Sequence, residues 1–336
     1  MIKHAFAVAL LSGATLLFMP AAAMEQPNLN SNEDAVTQAE NIGQHWFNRM
    51  ASALRELNFQ ATLVRSQGQR MQPLQWSHGV LEDGLEVELL QHLNGADVRI
   101  LRLGNQTSYY FQPSDRSYFV QTDITPGLLP RAFYQSFSHI NDHYQVVAVE
   151  GHRIVGRMAQ YLRLVSRDNY RYHYDLWVDS ETGMLLRLQM LTPQREVLEE
   201  LQLTSIDLPA ASPIALQALE GVQRPPRLYH HQQQEPLQFG LYPQWLPSGF
   251  SHQAQHHRRL SNTGLATDYF LFSDGLTEVS IYVTDGDSQR LPGLALEGVD
   301  SLFNTQTNGY AITVVGKLPV ATLQRIGENM ALGQPD

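Results

Sequence analysis

Two histidines four residues apart are the first candidates for chemistry. His139 and His143, in His139-Ile140-Asn141-Asp142-His143, have the i, i+4 spacing by which metalloproteases hold zinc on one helical face. The stretch lacks the glutamate that should follow the first histidine, and no third ligand is evident, so a polar surface turn is the plainer expectation. His230-His231 and His256-His257 offer pairs for adventitious metal, but their polar surroundings predict solvated side chains. No G-x-S-x-G elbow, phosphate loop or dinucleotide glycine motif occurs, and Cys 0 leaves no thiol nucleophile. Carboxylates are plentiful, yet nothing in the sequence pairs two of them for acid-base work. No catalytic residue, metal ligand or cofactor is assigned, and the chain is expected to bind rather than catalyse.

Charge and the first residues narrow the class further. Lys3, an apolar run from Ala5 to Met19 and then Pro20-Ala21-Ala22-Ala23 read as a secretory leader, 1–23, with cleavage near Ala23. The run is shorter than the roughly 20 residues of a membrane span, so a soluble, exported mature chain is expected. Without a cysteine after the leader there is no site for a lipoprotein anchor, which points to the periplasm. The formal net charge is −10, and loss of Lys3 takes it one unit further. Such a balance repels phosphate backbones, so no nucleic-acid partner is expected.

The elements that must position any binding residue follow from periodicity. Ser31 is expected to cap a helix reaching about Leu57, with Val36, Ala39, Gly43, Trp46, Met50, Ala53, Leu54 and Leu57 forming one apolar stripe. From Phe59 the period becomes two and stays so for most of the next 150 or so residues. A sheet of that many strands twists and curls. Thr125 to Pro130 and then Arg131 to His143 predict a loop and a short helix able to cover the concave side.

The most informative strands are the arms of a hairpin over Tyr170 to Leu191. Tyr170, Tyr172, Tyr174, Leu176 and Val178 point one way, while Arg171, His173, Asp175 and Trp177 form a mostly polar opposite face. Asp179 to Gly183 supplies the turn, with Asp179 bonding its own backbone and Gly183 in the left-handed conformation. Met184, Leu186, Leu188 and Met190 share a face of the return arm.

Five prolines and a glutamine run mark 207–236 as a linker between a large domain, 24–206, and a small one, 237–331, with one helical turn around Ile214 to Leu219. In the small domain, Asp268 to Thr284 predicts a hairpin turned at Ser273-Asp274-Gly275, Tyr310 to Val315 a buried strand, and Pro319 to Met330 a closing helix.

Order and spacing together resemble the RseB/MucB family of periplasmic regulators of sigma-E. The resemblance rests on Leu57-Asn58-Phe59, His92 to Gly95, Val98 to Gly104, Arg153 to Arg157, Tyr172 to Asp179 with Thr182-Gly183, Trp245 to Phe250, Ser273 to Leu276, Ser280 to Val283 and Val314 to Pro319. It implies an α+β fold: a large antiparallel open half-barrel sheet wrapped around helical elements, similar to the lipoprotein carriers LolA and LolB, plus a smaller α/β C-terminal domain. It also implies a partner, the periplasmic domain of the anti-sigma factor RseA, shielded from DegS site-1 cleavage until a lipid-like signal such as lipopolysaccharide intervenes.

Lipid-accepting residues are expected at Tyr172, Tyr174, Leu176, Leu186 and Leu188 of the hairpin, with Leu128, Leu129, Phe133 and Phe137 in a movable cover. The alternative is that all of these are ordinary core. Arg99, Arg102, Arg153 and Arg157 are candidates for partner contact because guanidinium forks suit carboxylates; cross-strand ion pairing is the competing reading. Trp245 and Phe250 are either small-domain core or interface anchors. A lipid or lipoprotein carrier stands as the second functional reading, and a homo-oligomer stays open.

Overall fold

The structure is a computed structural model that describes residues 29–121, 128–213, 216, 219, 222–227, 236–259, 264–285 and 293–333. Helix α1 (Leu29–Glu56) is followed by β1 (Phe59–Gln67), β2 (Arg70–Val80), β3 (Glu86–His92), β4 (Val98–Leu103), β5 (Gln106–Phe111) and β6 (Tyr118–Gln121). The chain then crosses to β7 (Tyr144–Ile154) and continues through β8 (Arg157–Ser166), β9 (His173–Asp179), β10 (Leu185–Leu191) and β11 (Val197–Asp207). These strands form one antiparallel sheet in the order β6-β5-β4-β3-β2-β1-β11-β10-β9-β8-β7, which is not closed. The expected half-barrel is therefore present. Register shifts at Thr62/Leu63, Leu185/Arg187 and Val149/His152 add local twist and help the sheet curl.

This strand order dictates what fills the concavity. The connection from edge β6 to edge β7 must span the whole open sheet, and its residues 128–143 lie inside it. The expected short helix there is instead two 3₁₀ turns, Arg131–Tyr134 and Phe137–His139, the second capped by Ser136. Pro130 immediately precedes the first turn and fixes its entry. Phe133 and Phe137 are fully buried, with ring centroids 5.8 and 5.3 Å from that of Phe47 on α1.

Helix α1 starts at Leu29, so Ser31 is inside it rather than at its cap. Its buried face is Gly43, Phe47, Met50, Ala51, Ala53 and Leu54, whereas the expected Trp46 sits at the margin under the Arg49 guanidinium. Phe47 and Ala51 lie one residue on from the predicted stripe because the helix turns its centre toward the 3₁₀ segment.

The hairpin turn forms as expected: Gly183 N donates to Asp179 O at 2.9 Å, Thr182 N to Asp179 Oδ2 at 3.1 Å, and Gly183 has φ +83. The opposite face differs from expectation. Asp175 and Trp177 are buried, Trp177 by stacking on Tyr161 at 4.9 Å beneath Arg187, and β9 begins only at His173.

The stretch after β11 is a strap packed on the outer face of the sheet. Asn58 Nδ2 donates to Ala210 O at 3.2 Å, Ser212 packs against Gly79, and Leu216 is buried with Val87, Leu101 and Leu103. The strap ends beside edge β6, where Phe119 bridges Arg227. Of the helical turn expected at Ile214 to Leu219, residues 214, 215, 217 and 218 lie outside the described residues.

The small lobe contains β12 (Leu241–Pro243), β13 (Ser251–Arg259), β14 (Ala266–Ser273), β15 (Glu278–Asp285), β16 (Ala295–Leu296), β17 (Ser301–Thr307), β18 (Tyr310–Gly316), α2 (Val320–Glu328) and β19 (Met330–Leu332). Its main sheet runs β13-β14-β15-β18-β17-β16, with Leu323 and Ile326 of α2 buried against it. The β14–β15 hairpin and the closing helix match the pattern read from the sequence. His256 and His257 do not: both are buried, and His257 Nδ1 lies 2.6 Å from Asp268 Oδ1. Asp268 also accepts from Gln238 N and Phe239 N, so two buried imidazoles serve the fold where solvated ones were expected.

Candidate interlobe site

Tyr170, Arg171 and Tyr172 stand just before β9, and all three reach the small lobe. Arg171 Nε donates to Asp274 Oδ2 at 2.7 Å with both side chains fully buried, and the same guanidinium bonds Asp168 and Ser248 O. It also lies 5.3 Å from the Phe250 ring centroid and 5.8 Å from that of Tyr144. Burial alone would lower the Arg171 pKa, but Asp274 and its neighbours hold it above the ordinary value. Asp274 is placed by its turn, since its Oδ1 accepts from Leu276 N and Thr277 N at 3.0 and 2.8 Å. One carboxylate therefore closes a hairpin with one oxygen and joins the lobes with the other.

On one flank, Tyr172 Oη reaches Ser301 Oγ at 3.0 Å and Gly298 O at 3.2 Å; burial pushes the phenol up to about 12. On the other, Tyr170 O accepts from Thr322 Oγ1 at 3.0 Å, and its ring meets Trp245 edge-on at 5.0 Å, with Arg325 over both rings. A further bond joins Ala132 N to Gly275 O at 3.1 Å. Beside these contacts lies a cleft of about 730 Å³, lined by Leu128 to Arg131, Gln135 and His139 on one wall and by Ser251, Gln253, Asp274 to Leu276 and Lys317 on the other.

The lipid candidates are brought together, but as packing. Tyr174, Leu176, Leu186, Leu188, Leu129, Phe133 and Phe137 belong to one buried cluster with α1, and Phe133 meets Tyr174 edge-on at 5.8 Å. Tyr172 belongs to the lobe interface as well, and Leu128, half-buried, faces the cleft beside Leu129. The 3₁₀ segment covers the hairpin face directly.

The arginine candidates separate into different environments. Arg102 is buried and committed to Glu86 at 2.6 Å and Glu88 at 2.8 Å. Arg157 bonds Asp179 and Glu181, exposed Arg99 pairs with Asp97, and Arg153 is exposed. Trp245 and Phe250 are half-buried at the interlobe contact as well as packed on the small-lobe core. His139 closes a 3₁₀ turn while His143 presses on Gly249, so the two do not share a helical face. Among the described residues no group of three His, Cys, Asp or Glu could hold a metal.

Arg171 and Asp274 were not singled out by sequence reasoning, which put the first on an outward face and the second in a turn. The available signal was an arginine between two tyrosines that have no reason to flank a solvated charge.

Fold and site define a two-lobed binding protein whose buried polar groups join its lobes. Among the described residues no helix is long and apolar enough to cross a membrane. The family model described as the MucB/RseB N-terminal domain matches residues 43–227, and that of the MucB/RseB C-terminal domain matches 233–331. The chain belongs to the MucB/RseB family. It is 28% identical over 286 residues to the sigma-E factor regulatory protein RseB of Escherichia coli K12, covering 85% of this chain and 89% of the relative. With the sigma factor AlgU regulatory protein MucB of Pseudomonas aeruginosa the identity is 26% over 295 residues, covering 84% and 88%. The structure of the Pseudomonas aeruginosa MucA/MucB complex overlays with a TM-score of 0.70 at 24% identity, covering 87% of this chain and 99% of that one. MucB alone overlays with a TM-score of 0.59 at 24% identity, covering 86% and 98%.

Proposed function

We propose that this chain is a periplasmic regulatory binding protein that holds the periplasmic domain of an RseA/MucA-type anti-sigma factor, masks it from DegS site-1 cleavage and so restrains the sigma-E envelope-stress response. The observation that carries this reading is family membership across both lobes, 43–227 and 233–331, together with relatives named as sigma-factor regulators and solved with MucA. The leader-like first residues agree with export.

Release is assigned to a lipid-like ligand such as lipopolysaccharide. A ligand frees a partner only through differential affinity for the partner-free form, and moving an equilibrium from 1:99 to 99:1 takes about 5.5 kcal/mol. Roughly seven buried methylenes at about 0.8 kcal/mol each suffice, so one acyl chain is enough. The continuous apolar interior under the 3₁₀ cover is the place to put it.

The test is site-1 proteolysis of the anti-sigma domain with and without this protein. Protection that an acylated lipid relieves is the expected result. Absence of protection together with retained lipid binding defeats the regulatory reading and favours the carrier.

A further inference from the structure

Each lobe buries its own apolar cluster, and Leu276 and Val299 are the small-lobe side chains that join the large-lobe one. The centre of the lobe interface is instead ionic: Arg171 and Asp274, fully buried, ringed by bonds from Tyr172, Tyr170, Thr322 and Ala132. The energetics of such an interface differ from those of a core. Parting two buried apolar surfaces exposes them to water at full cost, whereas parting an ion pair returns both charges to hydration, so much of the lost attraction is recovered. Breaking the pair while the lobes stay together is costly, because it leaves one charge buried and alone. The joined and parted states are therefore closer in free energy than the number of contacts suggests, and intermediates are disfavoured. That is the character of a two-state latch.

The covalent connection sets how far the latch can open. The chain leaving β11 does not run straight to the small lobe; it is strapped over the sheet by Asn58, Gly79 and the pocket for Leu216 as far as the Phe119–Arg227 bridge. The span between the strap and the small lobe is therefore counted from Arg227 rather than from Asp207. Nine residue steps from Arg227 to Pro236 reach at most about 30 Å.

We propose that Tyr170-Arg171-Tyr172 is a reversible latch between the lobes and that the strapped linker is a short leash limiting their separation to about 30 Å from Arg227 to Pro236. Strand β9, which follows the latch directly, presents Tyr174 and Leu176 to the large-lobe interior. Displacement of β9 from within is therefore coupled to the lobe contact through one continuous stretch of backbone. This inference concerns the lobes of the chain itself and stands whether or not the proposed partner is the right one.

The chain has Cys 0, so two introduced cysteines can be labelled cleanly. Exposed Ser138 on the large lobe and Gln255 on the small one are replaced by cysteine and spin-labelled, and the distance between labels is measured by pulsed electron paramagnetic resonance. The parent gives one narrow distribution. Asp274→Asn keeps an oxygen for Leu276 N and Thr277 N but removes the charge; it should raise a longer-distance population by roughly tenfold or more. Arg171→Lys should act in the same direction and Tyr172→Phe more weakly, both in protein whose near-ultraviolet dichroism matches the parent. An unchanged single distribution in any folded Arg171 or Asp274 variant overturns the latch. If Asp274→Asn fails to fold, Arg171→Lys and Tyr172→Phe carry the same reading. With the latch opened by Asp274→Asn, adding Gly79→Leu should extend the parted population to longer distances, which supports the leash, and identical limits with and without Gly79→Leu overturn it.

Discussion

Gly43 of α1 lies so close to β7 that a β-carbon there would stand 2.5 Å from the Val146 carbonyl oxygen and 3.1 Å from Ala148 N. The helix thus covers the backbone edge of the last strand of an open sheet, where unpaired amides would otherwise invite other strands. Gly43→Ala places a methyl against backbone that cannot step aside, so overpacking outweighs the helix propensity gained. A loss of about 1–3 kcal/mol is expected, read as a lower urea midpoint with an unchanged slope.

Acid should unfold the large lobe through Glu86. Burial would raise its pKa, but hydrogen bonds from His78 and Arg102 outweigh that and bring it to about 2 from 4.5. Because the folded value is the lower one, this carboxylate stabilises fully above the unfolded pKa, and the contribution fades as pH falls from about 4.5 to about 2. A shift of that size corresponds to at most about 3 kcal/mol. Glu86→Gln should therefore lose stability near pH 7 and show a flatter decline across that window in urea titrations. An equally steep decline in the variant assigns the acid sensitivity elsewhere.

How much of this could be read in advance depends on which residues need distant partners. The hairpin turn at Asp179 to Gly183 was legible because its bonds lie within five residues, and the long alternation made the curled sheet legible because period is local. The α1 stripe was legible to within one residue. What was not legible needed tertiary information: that Arg171, on the outward side of an alternating strand, meets Asp274 across a lobe boundary; that a proline-rich tract carries Leu216 into an apolar pocket; and that His257 is buried against Asp268 and Phe239 and His256 against Tyr269. The lipid candidates show the same limit, since periodicity groups side chains on a face without saying whether a core or a ligand lies above it.

Asp268 should prove to be the anchor for the entry to the small lobe. Its carboxylate is fully buried and accepts from Gln238 N, Phe239 N and the His257 imidazole. Asp268→Ala leaves three donors without a partner, each worth about 1–3 kcal/mol when buried. Calorimetry should show the small lobe melting first, as a separate transition, while a single unshifted transition would rule the anchor out.

The 3₁₀ cover can be separated from ordinary core by truncating its central ring. Phe133 is fully buried between Phe47 and Tyr174. Phe133→Ala should cost about 3–5 kcal/mol either way. The decisive readout is a fluorescent lipid: if the segment is a cover over an acyl site, binding should strengthen as the cover is weakened, and Leu186→Glu beneath it should abolish binding. Unchanged lipid binding in both folded variants leaves these residues as core.

Among the arginines, the structure predicts opposite phenotypes for Arg102 and Arg153. Arg102 sits between buried Glu88, which also accepts from Trp76 Nε1 at 2.7 Å, and half-buried Glu86, so its removal leaves the buried Glu88 carboxylate without its counter-charge. Arg102→Gln should lower stability by about 3–5 kcal/mol and leave partner affinity of the folded fraction unchanged. Arg153 is exposed, so Arg153→Glu should leave stability within about 0.5 kcal/mol. If the partner offers carboxylates to this edge, association slows and its salt dependence shrinks, because exposed charges act mainly on the encounter rate and are screened within about 8 Å at physiological salt. Stopped-flow association with the anti-sigma periplasmic domain at low and physiological salt distinguishes the cases. A normal rate for Arg153→Glu at both ionic strengths moves the contact surface away from β7.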